Sequence, residues 1–256
     1  MKKLMKTLLV TLSALTLMAG TALAEADVQI IHNSPDPAAA SVDIYLDGEL
    51  AVPGLDFRAA TGVLPLPSDV EIAIGIAPAG GEVIATFPVT LMGGTRYVVM
   101  ATGVLDADSV MNPDGINTGF GLEVFDMLTT EAPAGEVGIL AFHGIPDAPA
   151  VNIDIAGGGT LVPNLAFRQF AGYLTVPAAD YVLQIGPASD PGTYVATISA
   201  PLSGLSGGAA VVFASGMLGG DFGFFAALAD GMVLELPPTT VANTTSSMGG
   251  VKALFK

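Results

Sequence analysis

The sequence predicts an all-β protein that consists of two tandem immunoglobulin-like antiparallel β-sandwiches. Larger apolar residues occupy every second position in segments such as 70–76 and 83–91, which is the period of a half-buried strand. Glycine-containing turn signals separate these segments. The whole pattern also occurs twice, and each copy has room for about seven or eight short strands, as a sandwich domain requires.

The first 24 residues have the pattern of a secretory signal peptide. A basic start with three lysines precedes an apolar run over 8–18 and an Ala-Leu-Ala cleavage site that ends at Ala24. The apolar run is too short for a transmembrane helix, which needs about 20 residues. We therefore expect an exported protein that is periplasmic, at the cell surface or extracellular, with no membrane span in the mature chain.

The composition restricts the partners. The 256 residues include 24 acidic and 8 basic ones, and the formal net charge is −16. A chain of this charge repels the phosphates of nucleic acids and of anionic membranes, so we expect no nucleic-acid partner. There is no cysteine, so no disulfide can hold the fold together and its stability must come from the burial of a core.

The element that defines the duplication is an apolar strand that ends on a histidine and turns at Pro-Asp. It reads Ile-Ile-His-Asn-Ser-Pro-Asp at 30–36 and returns as Ala-Phe-His-Gly-Ile-Pro-Asp at 141–147. Each copy then runs into a second alternating strand, at 42–46 or 151–155. We expect this element to begin each sandwich.

Equivalent residues keep nearly the same spacing through both copies, which sets the domain boundaries. The matching pairs are His32 and His143, Phe57-Arg58 and Phe167-Arg168, and Gly103 and Gly216. We therefore predict one sandwich over 25–131, a linker near 129–135 and a second sandwich over 132–236. The remaining residues, 237–256, are polar and lack periodicity, so we expect a flexible tail.

Two local signals predict details of the strands. Asp47-Gly48 is typical of a tight hairpin turn. Pro88 cannot donate a hydrogen bond to a neighbouring strand, so we expect its strand to lie at a sheet edge or to carry a bulge.

The order of these motifs resembles a bacterial family of secreted domains of unknown function. Repeats of that family open with His-Ala-Ser-Pro-Asp-Ala-Pro-Ala-Val-Asp-Val-Tyr, and the likeness covers nearly all of residues 27–230. The chain departs from this pattern in the longer segment 37–41 and at Asn152 and Asp154 of the second copy. The resemblance implies a secreted or surface-attached β-sandwich, and it provides no catalytic residues.

The two histidines could be metal ligands or general bases. Neither has a second histidine or a cysteine nearby in the sequence, whereas a transition-metal site usually has three or four such ligands. We therefore favour a structural role, in which each imidazole lies at a strand end and hydrogen-bonds to the Pro-Asp turn. The structural repeat motif comprises His32, Pro35, Asp36, Arg58, His143, Pro146, Asp147 and Arg168.

The paired arginines are the least expected residues in so acidic a chain. We hypothesise that Arg58 forms a charge-assisted pair with Asp36, and that Arg168 does the same with Asp147, so that each arginine clamps the turn of its own copy. The alternative is that the arginines bind the carboxylate of a ligand.

A candidate ligand-binding face lies on the second strand of the first copy. Asp43, Tyr45 and Asp47 alternate with three apolar residues, so they share the face that points away from the core. A tyrosine flanked by two carboxylates suits the stacking and hydrogen bonding of a carbohydrate. We regard these three residues as the candidate binding site.

An inserted loop in the first copy is a candidate calcium site. Its oxygen-bearing side chains include Asp106, Asp108, Asn112 and Asp114. Calcium prefers such ligands, but the spacing does not match the EF-hand pattern and no bidentate glutamate follows. We therefore favour a solvated turn rich in Asp and Asn over a calcium site. We expect no cofactor, and calcium is the alternative.

The sequence does not predict an enzyme. The text Gly-Leu-Ser-Gly-Gly at 204–208 matches a nucleophile motif, but it lies between two strands rather than between a strand and a helix. We expect a non-enzymatic structural, adhesive or binding role at the cell envelope or outside the cell, with an envelope, matrix or protein partner. The alternative is a glycan- or calcium-binding module.

Overall fold

The computed structural model describes residues 25–126 and 130–239, which form seventeen strands and three short 3₁₀ turns. The predicted signal peptide, 1–24, and residues 240–256 of the predicted tail lie outside the described residues. No helix of the described residues is long and apolar enough to cross a membrane.

The first repeat contains eight strands. They are β1 (Glu25–Asn33), β2 (Ser41–Leu46), β3 (Glu49–Asp56), β4 (Leu64–Pro67), β5 (Glu71–Pro78), β6 (Ala85–Thr90), β7 (Arg96–Thr102) and β8 (Gly121–Phe125). The second repeat contributes β9 (Glu136–His143), β10 (Val151–Ile155), β11 (Thr160–Leu165), β12 (Phe170–Pro177), β13 (Asp180–Pro187), β14 (Ala196–Pro201), β15 (Ala209–Ser215), β16 (Gly223–Leu228) and β17 (Val233–Glu235). The 3₁₀ turns are Pro37–Ala39, Ala107–Ser109 and Leu202–Leu205.

Each repeat forms two sheets, which confirms the predicted all-β class and the pair of sandwiches. In the first repeat the strand orders are β3-β2-β5-β6 and β4-β1-β7-β8, and in the second they are β11-β10-β13-β14 and β12-β9-β15-β16-β17. We call the sheets that contain β1 and β9 the inner sheets, and the other two the outer sheets.

The sandwiches are not purely antiparallel. In the inner sheets β1 pairs in parallel with β7, and β9 pairs in parallel with β15. Parallel neighbours need a long crossover connection. The strands between them supply it: four of them form the outer sheet, and β4 or β12 returns to the edge of the inner sheet between the second and third of these four.

Each sandwich has its own apolar core between its inner and outer sheet. Val28 and Ile30 of β1 face Ile44 and Ile76 of the outer sheet in the first repeat. Val137, Ile139 and Ala141 of β9 face the outer sheet of the second repeat in the same way. The period-two alternation of the sequence therefore selects which side chains enter each core.

A third core lies between the two inner sheets and joins the repeats. Ile31, Val98 and Met100 of the first repeat pack there against residues of the second repeat. The second-repeat members are Leu140, Phe142, Val211, Phe213, Phe225 and Ala227. At one side of this core the ring of Phe125 lies 5.4 Å from that of Phe170, centroid to centroid. The inner strands are consequently buried on both faces.

Several local features follow from the turn and strand chemistry. Asp47 and Gly48 join β2 to β3 with φ values of 49° and 87°, as a tight hairpin turn requires. Pro88 lies in β6, which is an edge strand of its sheet.

The start of the predicted tail is paired with the second sandwich. The Pro237 carbonyl oxygen accepts from the Ser199 N–H, and the Thr239 N–H donates to the Thr197 carbonyl oxygen, so the tail boundary predicted at 237 lies too early.

Candidate functional site

The histidine of each repeat holds the loop that follows β1 or β9. His32 Nε2 donates to the Ala39 carbonyl oxygen at 2.6 Å, and His143 Nε2 donates to the Pro149 carbonyl oxygen at 3.0 Å. His143 Nδ1 also accepts from the Ile145 N–H at 3.3 Å. Both side chains are buried. The histidines therefore close the loop around the Pro-Asp turn rather than pointing into an open cleft.

The protonation of these histidines follows from their burial. Desolvation lowers the pKa of His143 to about 4, although its contact with the Pro149 carbonyl opposes the shift. Desolvation likewise lowers the pKa of His32. Both imidazoles are thus uncharged at neutral pH. The described residues contain no group of three or more His, Cys, Asp or Glu side chains that could hold a metal ion.

The turn aspartates bind backbone amides. Asp36 accepts from the Ala38 N–H at 2.9 Å and, with its other oxygen, from the Leu105 N–H at 2.8 Å. Asp147 accepts from the N–H groups of Leu218 and Gly219 at 2.6 and 3.0 Å. Each aspartate therefore ties its turn to the loop that follows β7 or β15 of the same repeat.

The arginines do not clamp the turn aspartates of their own repeats, which corrects the expected pairing. Arg58 reaches the second repeat, where Nε donates to Ser215 Oγ at 3.2 Å and Nη2 donates to the Asp221 main-chain oxygen at 2.8 Å. Arg168 reaches the first repeat, where Nε donates to Glu123 Oε1 at 2.6 Å and Nη1 donates to the Gly119 oxygen at 2.7 Å. The turn carboxylates are already occupied by backbone N–H groups, and the facing inner sheets place the other repeat within reach.

The two arginine sites differ in chemistry although they occupy equivalent positions. The Arg58 guanidinium lies 4.7 Å from the ring centroids of both Phe57 and Phe225. On β8, the residue equivalent to Phe225 is Glu123, so Arg168 has an ion pair where Arg58 has a second aromatic contact. Each arginine nevertheless fastens its repeat to the other.

The carboxylates of the candidate ligand-binding face are engaged in the fold. Asp43 accepts from the Gly54 and Gly80 N–H groups at 2.7 and 2.8 Å, and these two hydrogen bonds lower its pKa. Asp47 accepts from the Ala73 N–H at 2.9 Å. Both aspartates therefore stabilise the outer sheet.

Tyr45 is the member of that face that remains available. It is half-buried on the outer sheet beside Gly75, and a Cβ atom at Gly75 would lie 3.3 Å from both Tyr45 Cβ and Val83 Cγ1. Leu50 is its direct partner on β3 and is 51% exposed. Val83 and its neighbour Ile84 are 45% and 48% exposed. We call Tyr45, Leu50, Val83 and Ile84 the Tyr45 patch.

The sequence identified only Tyr45 of this patch. The Asp47-Gly48 hairpin fixes the register that places Leu50 opposite Tyr45, so that neighbour could have been found from the turn signal. In the second repeat Asp154 takes the place of Tyr45 and accepts a hydrogen bond from the Tyr194 hydroxyl at 3.1 Å. The outer face of the second repeat is therefore different.

The inserted loop contacts the second repeat. Asn112 is buried, and its Nδ2 donates to the carbonyl oxygens of Pro146 and Ala148 at 2.8 and 2.9 Å. Its Oδ1 accepts from the Asp114 N–H at 2.9 Å, while Asp114 Oδ2 accepts from the Ala150 N–H at 2.6 Å. The loop thus closes over the Pro-Asp turn of the other repeat.

These contacts favour a structural role for the inserted loop over the calcium site. The side-chain oxygen of Asn112 and one carboxylate oxygen of Asp114 already accept from N–H groups. Asp106 and Asp108, the other two candidate ligands, are exposed. Calcium binding stays a prediction that a titration can check.

Comparisons with known proteins place the chain in a family. A search of the curated proteins finds no match. One similar solved structure is the crystal structure of CBMbc, a family CBM26 module from Eubacterium rectale Amy13K, in complex with maltoheptaose. The two sequences are 10% identical, the match covers 80% of the present chain and 98% of the CBMbc chain, and the TM-score is 0.24. A family model described as a domain of unknown function, DUF4397, matches residues 26–153 and 137–226. The chain therefore belongs to the DUF4397 family, with two tandem matches to its domain.

Proposed function

We propose that the protein is exported and serves as a non-enzymatic binding or adhesive module at the cell envelope or outside the cell. In this proposal the two sandwiches work as one rigid block, and the partner docks on the outer sheet of the first repeat. The observation that carries the proposal is the exposure of the Tyr45 patch on that sheet, while the inner sheets face each other.

The inner sheets are an unsuitable docking surface because they are already occupied. Ile31, Met100, Phe142 and Phe213 are each no more than 2% exposed in the core between them. A partner would have to separate the repeats to reach these side chains. The outer sheets and the loops are the surfaces that remain.

The Tyr45 patch combines an aromatic ring with exposed aliphatic side chains, which is the composition of the centre of many protein interfaces. The nearby carboxylates of Asp43 and Asp47 accept from backbone N–H groups, so they contribute little charge-based recognition. This composition favours an apolar contact with another macromolecule.

A glycan partner is the second candidate, because the half-buried Tyr45 ring lies on the outer sheet and a tyrosine ring can stack on a sugar ring. The occupied carboxylates weaken this candidate, since sugar recognition needs free polar groups around the stacking ring. A glycan array, probed with calcium present and absent, distinguishes a glycan partner from an apolar macromolecular partner. Sugar binding that disappears in Tyr45→Ala would support the glycan module.

The direct test uses residues 25–256 as a labelled protein. Its binding to intact cells and to the separated envelope fraction of the producing organism is measured for the wild type and for Tyr45→Ser/Leu50→Ser. Val124→Ser is the matched control, because Val124 is 44% exposed on a strand outside the patch. We expect the patch variant to lose at least tenfold in binding and the control to retain it. Equal binding by all three proteins would contradict the proposal.

A further inference from the structure

The interior of the second sandwich contains two apolar cavities. One has a volume of about 50 Å³ and borders the loop end of the sandwich, and the other has a volume of about 40 Å³ and extends away from it. Ala141, Ile153 and Val212 line both of them, so the two cavities lie end to end. The cavity at the equivalent place in the first sandwich has a volume of only about 10 Å³.

One residue difference lies at the point where these two cavities meet. Ala141 on β9 pairs with Val212, as Ile30 on β1 pairs with Val99. Ile30 fills the core of the first sandwich, whereas the methyl group of Ala141 leaves the corresponding volume open. The outer-sheet residue that lines this volume is isoleucine in both repeats, so the side chain on the inner strand is the one that differs here.

The lining restricts the chemistry of any ligand to hydrocarbon. His143 and Tyr181 are the lining residues that have polar side chains, and both already have partners. The ring nitrogens of His143 contact the Pro149 carbonyl and the Ile145 N–H, and the Tyr181 hydroxyl donates to the Pro177 carbonyl oxygen at 2.9 Å. A polar ligand would therefore lose its hydrogen bonds to water and gain none. Apolar cavities of this kind stay dry and take up small apolar molecules.

The larger cavity lies next to the protein surface. Val195 and Phe222 line it and are both half-exposed. Ile145 and Leu218, from the loops that follow β9 and β15, complete this end. A chain that enters beside Phe222 would reach Ala141 and then the second cavity.

We propose that the second sandwich binds a short aliphatic chain in these two cavities, with the chain entering beside Phe222. The site is independent of the Tyr45 patch, because it lies in the other repeat and inside the core. The hydrocarbon could be a free small molecule or the end of a longer acyl chain, and the test below separates these two sources.

The test measures thermal unfolding of residues 25–256 in buffer saturated with n-pentane and, separately, with sodium hexanoate. Methyl NMR spectra of Ile153 and Val212 report whether the probe enters the cavities. At ligand concentrations well above the dissociation constant we expect the wild-type Tm to rise by roughly 2 to 4 °C. A response to both probes indicates that an acyl chain end is accepted, and a response to pentane alone indicates a free hydrocarbon.

Ala141→Ile is the matched variant, because it gives the second sandwich the same side chain that the first sandwich has at the equivalent position, Ile30. We expect its Tm to be independent of either probe and its methyl signals to stay unchanged. Ala141→Val serves the same purpose if the larger side chain prevents folding. The proposal is overturned if neither probe raises the wild-type Tm or shifts the two methyl signals, or if the variant responds as the wild type does.

Discussion

Arg58 of the first repeat donates a hydrogen bond to the main-chain oxygen of Asp221 in the second repeat, 163 residues further along the chain, over 2.8 Å. Arg168, at the equivalent position of the second repeat, crosses in the opposite direction to Glu123. Both arginines have a positive φ, 69° and 68°. A non-glycine residue adopts this conformation at a cost of about 1 to 3 kcal/mol, which the contacts between the repeats must offset.

The contacts of Arg58 predict which of its interactions matters most. We expect Arg58→Lys to lower the free energy of unfolding by about 1 to 2 kcal/mol, because lysine cannot stack on both phenylalanine rings or donate from a planar guanidinium. Arg58 Nη1 also lies 3.3 Å from Asp221 Oδ2. Asp221→Asn should change the free energy of unfolding by no more than about 0.5 kcal/mol, since the Asp221 side chain is 91% exposed and solvent screens this ion pair. Urea unfolding of both variants measures the difference. A larger loss in Asp221→Asn would show that the ion pair dominates.

Asp36 and Arg58 should act independently, because the structure gives them different partners. A double-mutant cycle with Asp36→Asn and Arg58→Lys is therefore expected to give a coupling energy below about 0.5 kcal/mol. Asp36→Asn alone should lower the free energy of unfolding by about 1 to 2 kcal/mol. The Asp36 carboxylate accepts from two N–H groups, and in the variant one of these would face the asparagine amide nitrogen, which cannot accept. A coupling energy above about 1 kcal/mol would instead show that Asp36 and Arg58 interact within the first repeat.

The buried histidines predict a loss of stability in mild acid. His143 has a pKa of about 4 in the folded protein against 6.5 in the unfolded chain. As the pH falls, His143 therefore takes up a proton in the unfolded chain before it does so in the folded protein. The contribution of His143 to stability is complete at pH values above the pKa of 6.5 in the unfolded chain, and it decreases below that pKa. Between pH 7 and pH 5 we expect the free energy of unfolding to fall by about 2 kcal/mol on account of His143. Urea unfolding at several pH values measures this slope.

The control for the pH effect is His143→Gln, which retains a donor for the Pro149 carbonyl and does not titrate. Its stability should change less than that of the wild type between pH 7 and pH 5. Some dependence should persist, because burial lowers the pKa of His32 in the same direction. An unchanged slope in the variant would assign the effect to other groups.

Asn112 is the residue of the inserted loop whose loss should matter. Asn112→Ala removes two donors to buried carbonyl oxygens and is expected to cost about 2 to 3 kcal/mol. Asp108→Asn, at an exposed position of the same loop, should be within about 0.5 kcal/mol of the wild type. Both effects should be the same with calcium and with a chelator. A calcium-dependent rise in the wild-type Tm that Asp108→Asn abolishes would instead identify a calcium site.

Much of the fold could be predicted from the sequence, because the signals for it lie in short segments of the chain. The His-Pro-Asp element marked the start of each sandwich, Asp47-Gly48 predicted the first hairpin, and Pro88 predicted an edge strand. The duplication then predicted two sandwiches. All of these signals concern residues that are close together in the chain.

The joining of the two repeats was missed, because it depends on contacts between distant residues. A signal for it does exist: Ile30 and Ile31 are adjacent apolar residues, and so are Leu140, Ala141 and Phe142. Such runs break the alternation of a half-buried strand and indicate burial on both faces. The partner of Arg58 could not be found in this way, because an arginine in sequence does not reveal which carbonyl or ring it reaches.

The candidate binding face shows a similar limit. Asp43 looked available for a ligand because it alternates with apolar residues. Its carboxylate instead accepts from the Gly54 and Gly80 N–H groups, and the sequence does not show how the bulged strand and the loop place those groups. Only the tyrosine between the two aspartates remained as a surface feature.

The core between the inner sheets joins the two repeats, so we expect them to unfold as one block. Differential scanning calorimetry of residues 25–256 should show a single transition for the wild type, with equal calorimetric and van't Hoff enthalpies. Arg58→Ala/Arg168→Ala should lower the Tm of this single transition. Two separate transitions in the wild type, each assignable to one repeat, would contradict unfolding as one block.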